Sequence, residues 1–124
     1  MYKSIPLWRD ANSLLLEVEK SVRHFPRYHK YTLGSEMRKQ AMWVCRLINR
    51  AFIEKELKQD VVKSLVMAIN DLKLQIQLAK ELQAFRNFAE FERLSALAVQ
   101  SGKQSGGWLR KLQALQQPEV LHNV

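Results

Sequence analysis

The chain has few residues that break helices and few that make cross-links. Of its 124 residues, four are glycine, three are proline and one is cysteine. A single cysteine, Cys45, excludes an internal disulfide and any metal site built from several thiolates. The longest apolar runs, AMWVC and LVMAI, are five residues long, far short of a membrane span or of the hydrophobic region of a signal peptide. We therefore expect a cytoplasmic protein made of long helices.

The hydrophobic content is that of a folded chain. Hydrophobic residues make up 47% of the sequence, and a chain of this length can bury about two-thirds of the surface that it exposes when unfolded. No stretch alternates apolar and polar residues for long enough to predict a strand. We expect a single all-α domain over residues 1–124.

Apolar residues recur every three or four positions in four stretches, which is the spacing of one helix face. The predicted helices cover about residues 6–24, 33–54, 60–85 and 88–114. Residues able to cap a helix stand at the expected starts: Ser4 (with Pro6 in the opening turn), Thr32, Asp60 and Asn87. Glu90 completes a capping box with Asn87. Pro26 ends the first helix and Pro118 marks the limit of the fourth.

Each predicted helix has one face that we expect to be buried. The four faces are Trp8, Ala11, Leu15, Val18 and Val22; Met37, Ala41, Val44, Ile48 and Phe52; Val62, Leu65, Ile69, Leu72, Ile76, Ala79 and Leu82; and Phe91, Leu94, Ala98, Trp108, Leu109, Leu112 and Leu115. Four helices of about twenty residues, joined by short connections, predict an antiparallel up-and-down four-helix bundle.

Glycines are concentrated in the segment SGKQSGGWLRKL. Inside a helix, Gly102, Gly106 and Gly107 would each cost about 1 kcal/mol relative to alanine. One interpretation ends the helix near residue 101 and leaves a loose tail; the other lets a second helix or subunit approach closely. Trp108 favours close approach, because a large anchor beside small residues suits a packed contact. We predict an oligomer contact at Gly106, Gly107 and Trp108.

Positive charge is concentrated in one quarter of the chain. The net charge is +8 and the isoelectric point is near 9.9. Between residues 20 and 50, eight cations face Glu36 alone: Lys20, Arg23, Arg27, Lys30, Arg38, Lys39, Arg46 and Arg50. The remaining residues carry 12 cations and 11 anions. This distribution indicates a polyanionic partner for the second predicted helix and the turn before it.

The second helix carries a stripe opposite its apolar face. Lys39, Trp43, Arg46 and Arg50 are spaced by four, three and four residues, and Arg38 lies beside them. Arginine binds phosphate or carboxylate with two parallel hydrogen bonds, and tryptophan can stack on a base. A solvated face with Trp43 in an oligomer interface is the alternative. We predict that the stripe binds an anion together with Arg27 and Lys30, with a secondary basic set at Lys73, Lys80, Arg86 and Arg93.

No group of residues predicts catalysis. His24 and His29 lie five positions apart across a proline without neighbouring carboxylates. Cys45 is interpreted as a small core residue, since no histidine is held beside it. The GKQSGG segment lacks the glycine spacing and the strand of a phosphate-binding loop. We predict a protein without catalytic residues, metal ligands or cofactor; an enzyme with an unrecognised site stays open.

Two segments carry a family resemblance. FPRYHKYTLGSEMRKQA resembles a signature in which a helix ends at Phe-Pro, a basic-aromatic segment follows, and Leu-Gly-Ser opens the next helix with paired cations. Two groups of small four-helix bundles share it: proteins encoded in intervening sequences of large-subunit ribosomal RNA genes, and accessory variability determinants of diversity-generating retroelements. NFAEFERLSALAVQSGKQSGGWLRKL is similar to the fourth helix of the accessory group, through Phe91-Glu92 and Gly106-Gly107-Trp108. The intervening-sequence group has Ser-Pro-Asn and Glu-Gly where this chain reads MWVCRLINRAF.

The resemblance covers about residues 8–113. It implies a ring-like homopentamer that binds the reverse transcriptase of its element and nucleic acid, and that supports synthesis of mutagenised cDNA by that partner. It also implies contacts to RNA, cDNA or the reverse transcriptase at Arg38 and Lys39, while helical spacing extends this site to Arg46 and Arg50. Two alternatives remain: an intervening-sequence-type protein, and a structural bundle whose tryptophans and glycines build only an oligomer.

Overall fold

The computed structural model describes the backbone of residues 4–122 and the side chains of residues 4–116. Five helices follow one another along the chain: α1 (Pro6–Arg23), α2 (Arg27–Lys30), α3 (Leu33–Ile53), α4 (Lys58–Glu81) and α5 (Phe88–His122). No strand occurs within residues 4–122, which confirms the all-α class there. In that same range, no helix combines the length and the apolar character needed to cross a membrane.

The four long helices form a closed bundle. α3 packs against α1 and α4, and α5 packs against α4 and α1. One core cluster joins the end of α1 to the start of α3, the end of α4 and the start of α5: Val22, Met37, Ile76 and Leu94 are members. The other joins the opposite ends: it contains Leu7, Ile48 and Leu65, with Trp108 packed against it. Neighbouring helices therefore run antiparallel, and the predicted four-helix bundle is confirmed.

Two of the three connections lie at the same end of the bundle. Residues 24–32, which include α2, join α1 to α3, and residues 82–87 join α4 to α5. The rings of Phe25 and Phe85, one from each connection, meet edge to face with centroids 5.3 Å apart. We call this the α2 end of the bundle.

Most of the predicted core positions are buried. Those with at most 2% exposure are Ala11, Val18, Val22, Met37, Ala41, Val44, Ile48, Val62, Leu65, Ile69, Leu72, Ile76, Ala79, Leu94 and Ala98. Two of the five predicted positions in α1 are displaced by one residue, since Leu7 and Leu14 are buried while Trp8 and Leu15 are only partly so. The apolar arc of α1 is broader than one stripe, and its centre faces the other helices.

Three predicted core residues are exposed: Phe52, Leu82 and Leu115. Leu82 follows the last residue of α4, where the chain turns away from the helix face. Phe52 packs at the rim against Trp108, with ring centroids 4.9 Å apart. Phe91, Trp108, Leu109 and Leu112 are half-buried. The apolar spacing indicates which side of a helix faces the core, whereas the ends of the neighbouring helices decide where burial stops.

Two predicted helix caps are wrong, although α1 does begin at the predicted residue, Pro6. The residue before α1 is Ile5, which makes no side-chain cap, so Ser4 is not the cap, although Pro6 does occupy the first turn. α4 begins at Lys58, and Asp60 therefore lies in its first turn instead of before it. A carboxylate in the first turn still interacts favourably with the positive end of the helix dipole.

The other two caps differ from each other. Thr32 precedes α3 but makes no capping hydrogen bond. Its hydroxyl donates instead to the backbone carbonyl of Tyr28 at 2.8 Å and so closes the turn that it follows. At α5 the predicted cap is confirmed, because the backbone N–H of Glu90 donates to Asn87 Oδ1 at 3.0 Å. The predicted capping box is not completed, since Glu90 Oε2 accepts a hydrogen bond from Arg86 and Glu90 Oε1 has no hydrogen-bond partner among the described residues.

The glycine segment is helical throughout, so the loose-tail interpretation is wrong. α5 continues to His122, beyond the predicted end near 114 and beyond Pro118. Within this segment Ser101 and Ser105 are fully buried, and an added Cβ at Gly102 would make an ordinary van der Waals contact, 3.7 Å from Ile69 Cγ2. At Gly106 and Gly107 an added Cβ would meet only the side chain of Arg110. These two glycines are therefore not required by packing within the described chain.

Candidate nucleic-acid interface

The predicted stripe on α3 exists as an exposed face. Lys39, Trp43, Arg46 and Arg50 are all exposed, while the opposite face of α3 supplies its buried residues. The guanidinium of Arg50 lies 5.6 Å from the centroid of the Trp43 ring, within reach of a cation–π interaction. Among the described side chains, none of the three cations of the stripe pairs with a carboxylate. Their charge is available to an external anion.

Arg38 has a different environment from the stripe. Its Nε donates to Glu19 Oε1 at 2.8 Å, which links α3 to α1. Together with Arg23 and Lys30, these two residues line a cleft of about 250 Å³. Three cations against one carboxylate leave the cleft net positive. Arg38 therefore holds two helices together as well as lying beside the predicted site.

The α2 end adds exposed aromatic rings to the cations. Tyr28 and Tyr31 are both exposed, next to the exposed Arg27. The ammonium of Lys30 lies 5.9 Å from the centroid of the Tyr31 ring. Rings interleaved with cations are typical of surfaces that bind single-stranded nucleic acid. Our site prediction omitted both tyrosines, although their alternation with cations in RYHKY was a visible signal.

A second aromatic group lies at the same end. Phe91 contacts Phe85 and Phe88, with centroids 5.9 Å and 5.4 Å apart. A cleft of about 190 Å³ beside them is lined by Lys80, Gln83, Phe85, Asn87, Phe88 and Phe91; we call it the aromatic cleft. The sequence indicated Phe91 as a core residue and missed this cleft, because the residues that form it come from α4, the following turn and α5.

The secondary basic set does not form one patch. Arg86 pairs with Glu90 at 3.2 Å and Arg93 pairs with Glu17 at 3.5 Å. Lys73 is half-buried, and its stem passes Gly102. Lys80 alone lines the aromatic cleft directly, with its ammonium 4.9 Å from the centroid of Phe91. Spacing of seven residues placed these cations on helix surfaces, but the neighbouring helices decide which of them find an acidic partner.

The single cysteine, Cys45, is half-buried and packs against the core cluster of Leu7, Ile48 and Leu65. Burial raises the pKa of the Cys45 thiol to about 11, and its Sγ donates to the backbone carbonyl of Ala11 at 3.7 Å.

His29 stacks edge to face on Tyr28, with centroids 5.3 Å apart. In the described part of the chain, no three histidine, cysteine or acidic residues are grouped so that they could hold a metal ion.

The predicted oligomer contact lies away from the α2 end. Trp108 is half-buried and packs on Phe52. Gly107 and Trp108 line a groove of about 490 Å³ whose walls also contain Lys58, Lys103 and Lys111. The structure therefore gives Trp108 a packing partner within its own chain, while Gly106 and Gly107 have room beside them.

Comparison with known proteins leaves the family open. No protein-family model matches the chain, and no curated protein matches it. The resemblance carried by FPRYHKYTLGSEMRKQA and the Gly-Gly-Trp segment is therefore a hypothesis about this protein, and the function is inferred from its residues.

Proposed function

We propose that this protein is a basic, non-catalytic accessory factor that binds single-stranded nucleic acid through α3 and the α2 end. The observation that carries the proposal is the exposed stripe of Lys39, Trp43, Arg46 and Arg50. Its cations are unpaired among the described residues, and its tryptophan can stack on a base. An aromatic ring among cations is the combination that single-stranded nucleic acids bind.

Electrostatics supports a polyanion over a small acidic ligand. The cations extend along α3 from residue 39 to residue 50, about 16 Å at the helical rise of about 1.5 Å per residue. This length spans several phosphates of a nucleic-acid strand, whereas a single carboxylate or phosphate would engage only one end. Further cations at Arg23, Arg27 and Lys30 continue the positive surface around the α2 end.

The resemblance supplies the biological setting of the proposal. It favours an accessory variability determinant of a diversity-generating retroelement, which would bind the element's reverse transcriptase and support mutagenic cDNA synthesis in the cytoplasm. The polymerase chemistry would then belong to the partner. A homopentamer is part of the same proposal, and the room beside Gly106 and Gly107 supports a subunit contact there.

The alternative is a bundle without a reverse transcriptase partner. It would be an intervening-sequence-type protein or a structural oligomer, with Trp43 in a subunit interface. Trp43 and its neighbour Met42 are both exposed apolar side chains, which supports an apolar subunit contact at this position. Mass measurement tests both versions, because a monomer would rule out the pentamer and the structural oligomer alike.

Nucleic-acid binding is tested by salt titration. We expect a labelled single-stranded RNA or DNA oligomer to bind with an affinity that falls steeply as salt rises, measured by fluorescence anisotropy. Replacing Lys39 and Arg46 by glutamine should reduce the magnitude of the log–log salt slope by about 0.7 for each lost phosphate contact. The matched control is Lys63→Gln, an exposed lysine on α4, which should leave the slope unchanged. No binding at low salt, or equal slopes for all proteins, would refute the proposal.

The partner is tested separately. The reverse transcriptase gene adjacent to this gene, if one is present with paired template and variable repeats, should yield a protein that co-purifies with this chain. Loss of co-purification in the Lys39 and Arg46 variant, with nucleic acid removed by nuclease, would assign the stripe to the protein partner. Retention of the complex would assign it to nucleic acid.

A further inference from the structure

The aromatic cleft exposes an aromatic ring that the bundle does not need. Phe88 is 60% exposed, and its ring contacts Phe91 at the rim of the cleft. Phe85 and Phe91 are half-buried and join the core, so their position follows from packing. Phe88 opens α5 with most of its ring in solvent. An exposed flat ring at the mouth of a cleft is available to stack on a planar ligand.

Gln83, whose side chain reaches this cleft, has an unfavourable backbone conformation. Its φ is 57°, the one positive value among the described non-glycine residues. Two hydrogen bonds close the end of α4 around it, from Gln83 N–H to the carbonyl of Lys80 at 3.0 Å and from Ala84 N–H to that of Ala79 at 2.9 Å. Glycine is the usual residue at this position of such a helix end. Here a glutamine stands there instead, and its side chain lines the cleft.

The polar lining of the cleft suits an anionic ligand that carries hydrogen-bonding groups. Lys80 supplies a positive charge, and no acidic residue lines the cleft. Gln83 and Asn87 supply side-chain amides, of which Asn87 Oδ1 already accepts from Glu90. Arg86 lies next to the cleft in sequence, with its guanidinium on Glu90. A phosphate beside a planar, polar-edged ring matches this set of groups.

The cleft is also joined to the basic surface. Phe85, which lines it, contacts Phe25 of the α1–α3 connection at 5.3 Å. Phe25 is followed directly by Pro26 and Arg27, where the exposed cations and tyrosines of the α2 end begin. The cleft and these residues therefore lie at the same end of the bundle.

We propose that the aromatic cleft is a base-binding subsite for single-stranded nucleic acid. One nucleobase stacks on Phe88, its polar edge meets the amides of Gln83 and Asn87, and its phosphate lies against Lys80. This subsite rests on the proposed function, since the basic surface delivers the strand. It adds a contact to the base itself, which the cations of α3 do not provide.

The test compares two oligomers of equal charge. One is a short single-stranded oligonucleotide and the other is an abasic oligomer of the same length and backbone. Wild type should bind the base-containing oligomer more tightly, and Phe88→Ala should reduce that preference by about five-fold or more, the effect of losing one base–aromatic stack. Affinity for the abasic oligomer should not change. The control Leu74→Ala removes an equally exposed apolar side chain on α4, 57% exposed, and should preserve the preference.

A second variant separates binding from folding. Gln83→Gly relieves the backbone conformation, so its thermal midpoint should rise, while its preference for bases should fall. Loss of binding caused by poor folding would lower the midpoint instead. Both RNA and DNA oligomers are used, and binding of either kind by the cleft satisfies the proposal.

The outcomes distinguish the two proposals. If the protein binds both oligomers with the expected salt dependence but shows no base preference, the subsite is wrong and the basic-surface proposal stands. If Phe88→Ala or Gln83→Gly leaves an existing preference intact, the base is read elsewhere and the subsite is again wrong. If neither oligomer binds, both proposals fail.

Discussion

Replacing Gly34 by alanine should destabilise the bundle, although alanine is the better helix former. Gly34 is the second residue of α3 and is buried against the end of α1. An added Cβ would lie 2.7 Å from Val22 Cγ1, 3.1 Å from the backbone carbonyl oxygen of His29 and 3.3 Å from Phe25 Cδ2. The new methyl group would therefore meet atoms from three residues.

The size of the effect follows from whether these neighbours can move. Carbon atoms in contact normally lie about 3.5–4.0 Å apart, so Val22 would have to withdraw by about 1 Å. Val22 is 2% exposed and Phe25 4% exposed, and a β-branched valine has few alternative rotamers. Overpacking of this kind costs about 1–3 kcal/mol. Because these neighbours are confined, the cost here lies in the upper part of that range, about 2–3 kcal/mol. Helix propensity returns about 1 kcal/mol, which leaves a net loss of about 1–2 kcal/mol.

Urea denaturation followed by circular dichroism measures this loss, at one fixed protein concentration because an oligomer's stability depends on it. The matched control is Gly102→Ala in α5, where the new Cβ would lie 3.7 Å from Ile69 Cγ2, an ordinary van der Waals contact. That variant should gain about 0.5–1 kcal/mol from helix propensity. If Gly34→Ala is as stable as wild type, the close approach of α3 to α1 is wrong. Gly106→Ala tests the proposed subunit contact separately: it should lower stability and dissociate the oligomer, whereas a gain in stability without dissociation would contradict that contact.

Three further predictions concern single interactions. Arg86→Ala should lower the free energy of unfolding by about 1–2 kcal/mol, because it leaves the Glu90 carboxylate, 3% exposed, without its cation. Adding Glu90→Gln should recover part of this loss in denaturation experiments, and no recovery would contradict the pairing. Asn87→Ala removes the cap of α5 and should cost about 1 kcal/mol in the same assay; an unchanged midpoint would mean that the cap contributes nothing. Burial raises the pKa of the Cys45 thiol from 9.0 to about 11. The contribution of the buried, neutral thiol to the free energy of unfolding should therefore be complete below about pH 9 and lost as the pH rises to about 11. Cys45→Ala should abolish this dependence.

The elements that the sequence predicted well are those encoded by local spacing. α3 begins at the predicted residue and ends within one residue of the prediction, because its apolar face and its cationic face keep one helical spacing along its length. The start of α5 is equally clear, since the side chain of Asn87 can bond the first turn of its own helix. The roles of Thr32 and Asp60 were harder to predict, because each side chain can either cap a helix or interact elsewhere in the turn or first helical turn. The conformation of the surrounding turn decides between these roles.

The candidate site also has one part that local spacing predicted and another part that depends on contacts between helices. The α3 stripe comes from one helix, so its spacing placed Lys39, Trp43, Arg46 and Arg50 on one exposed face. The pairing of Arg38 with Glu19 and of Arg93 with Glu17 joins residues far apart in sequence, and no local pattern predicts it. The aromatic cleft was missed for the same reason, since its residues come from the end of α4, the turn and the start of α5.

By itself, the sequence determined that this chain forms long amphipathic helices and carries its excess charge on one helix and the turn before it, because both properties depend on neighbours along the chain. Tertiary structure decided which small residues allow close packing, which cations remain unpaired, and which aromatic rings stay exposed. Those outcomes depend on atoms brought together across helices. Gly34 and Phe88 illustrate the difference: one is confined by the end of α1, and the other is left in solvent at the mouth of a cleft.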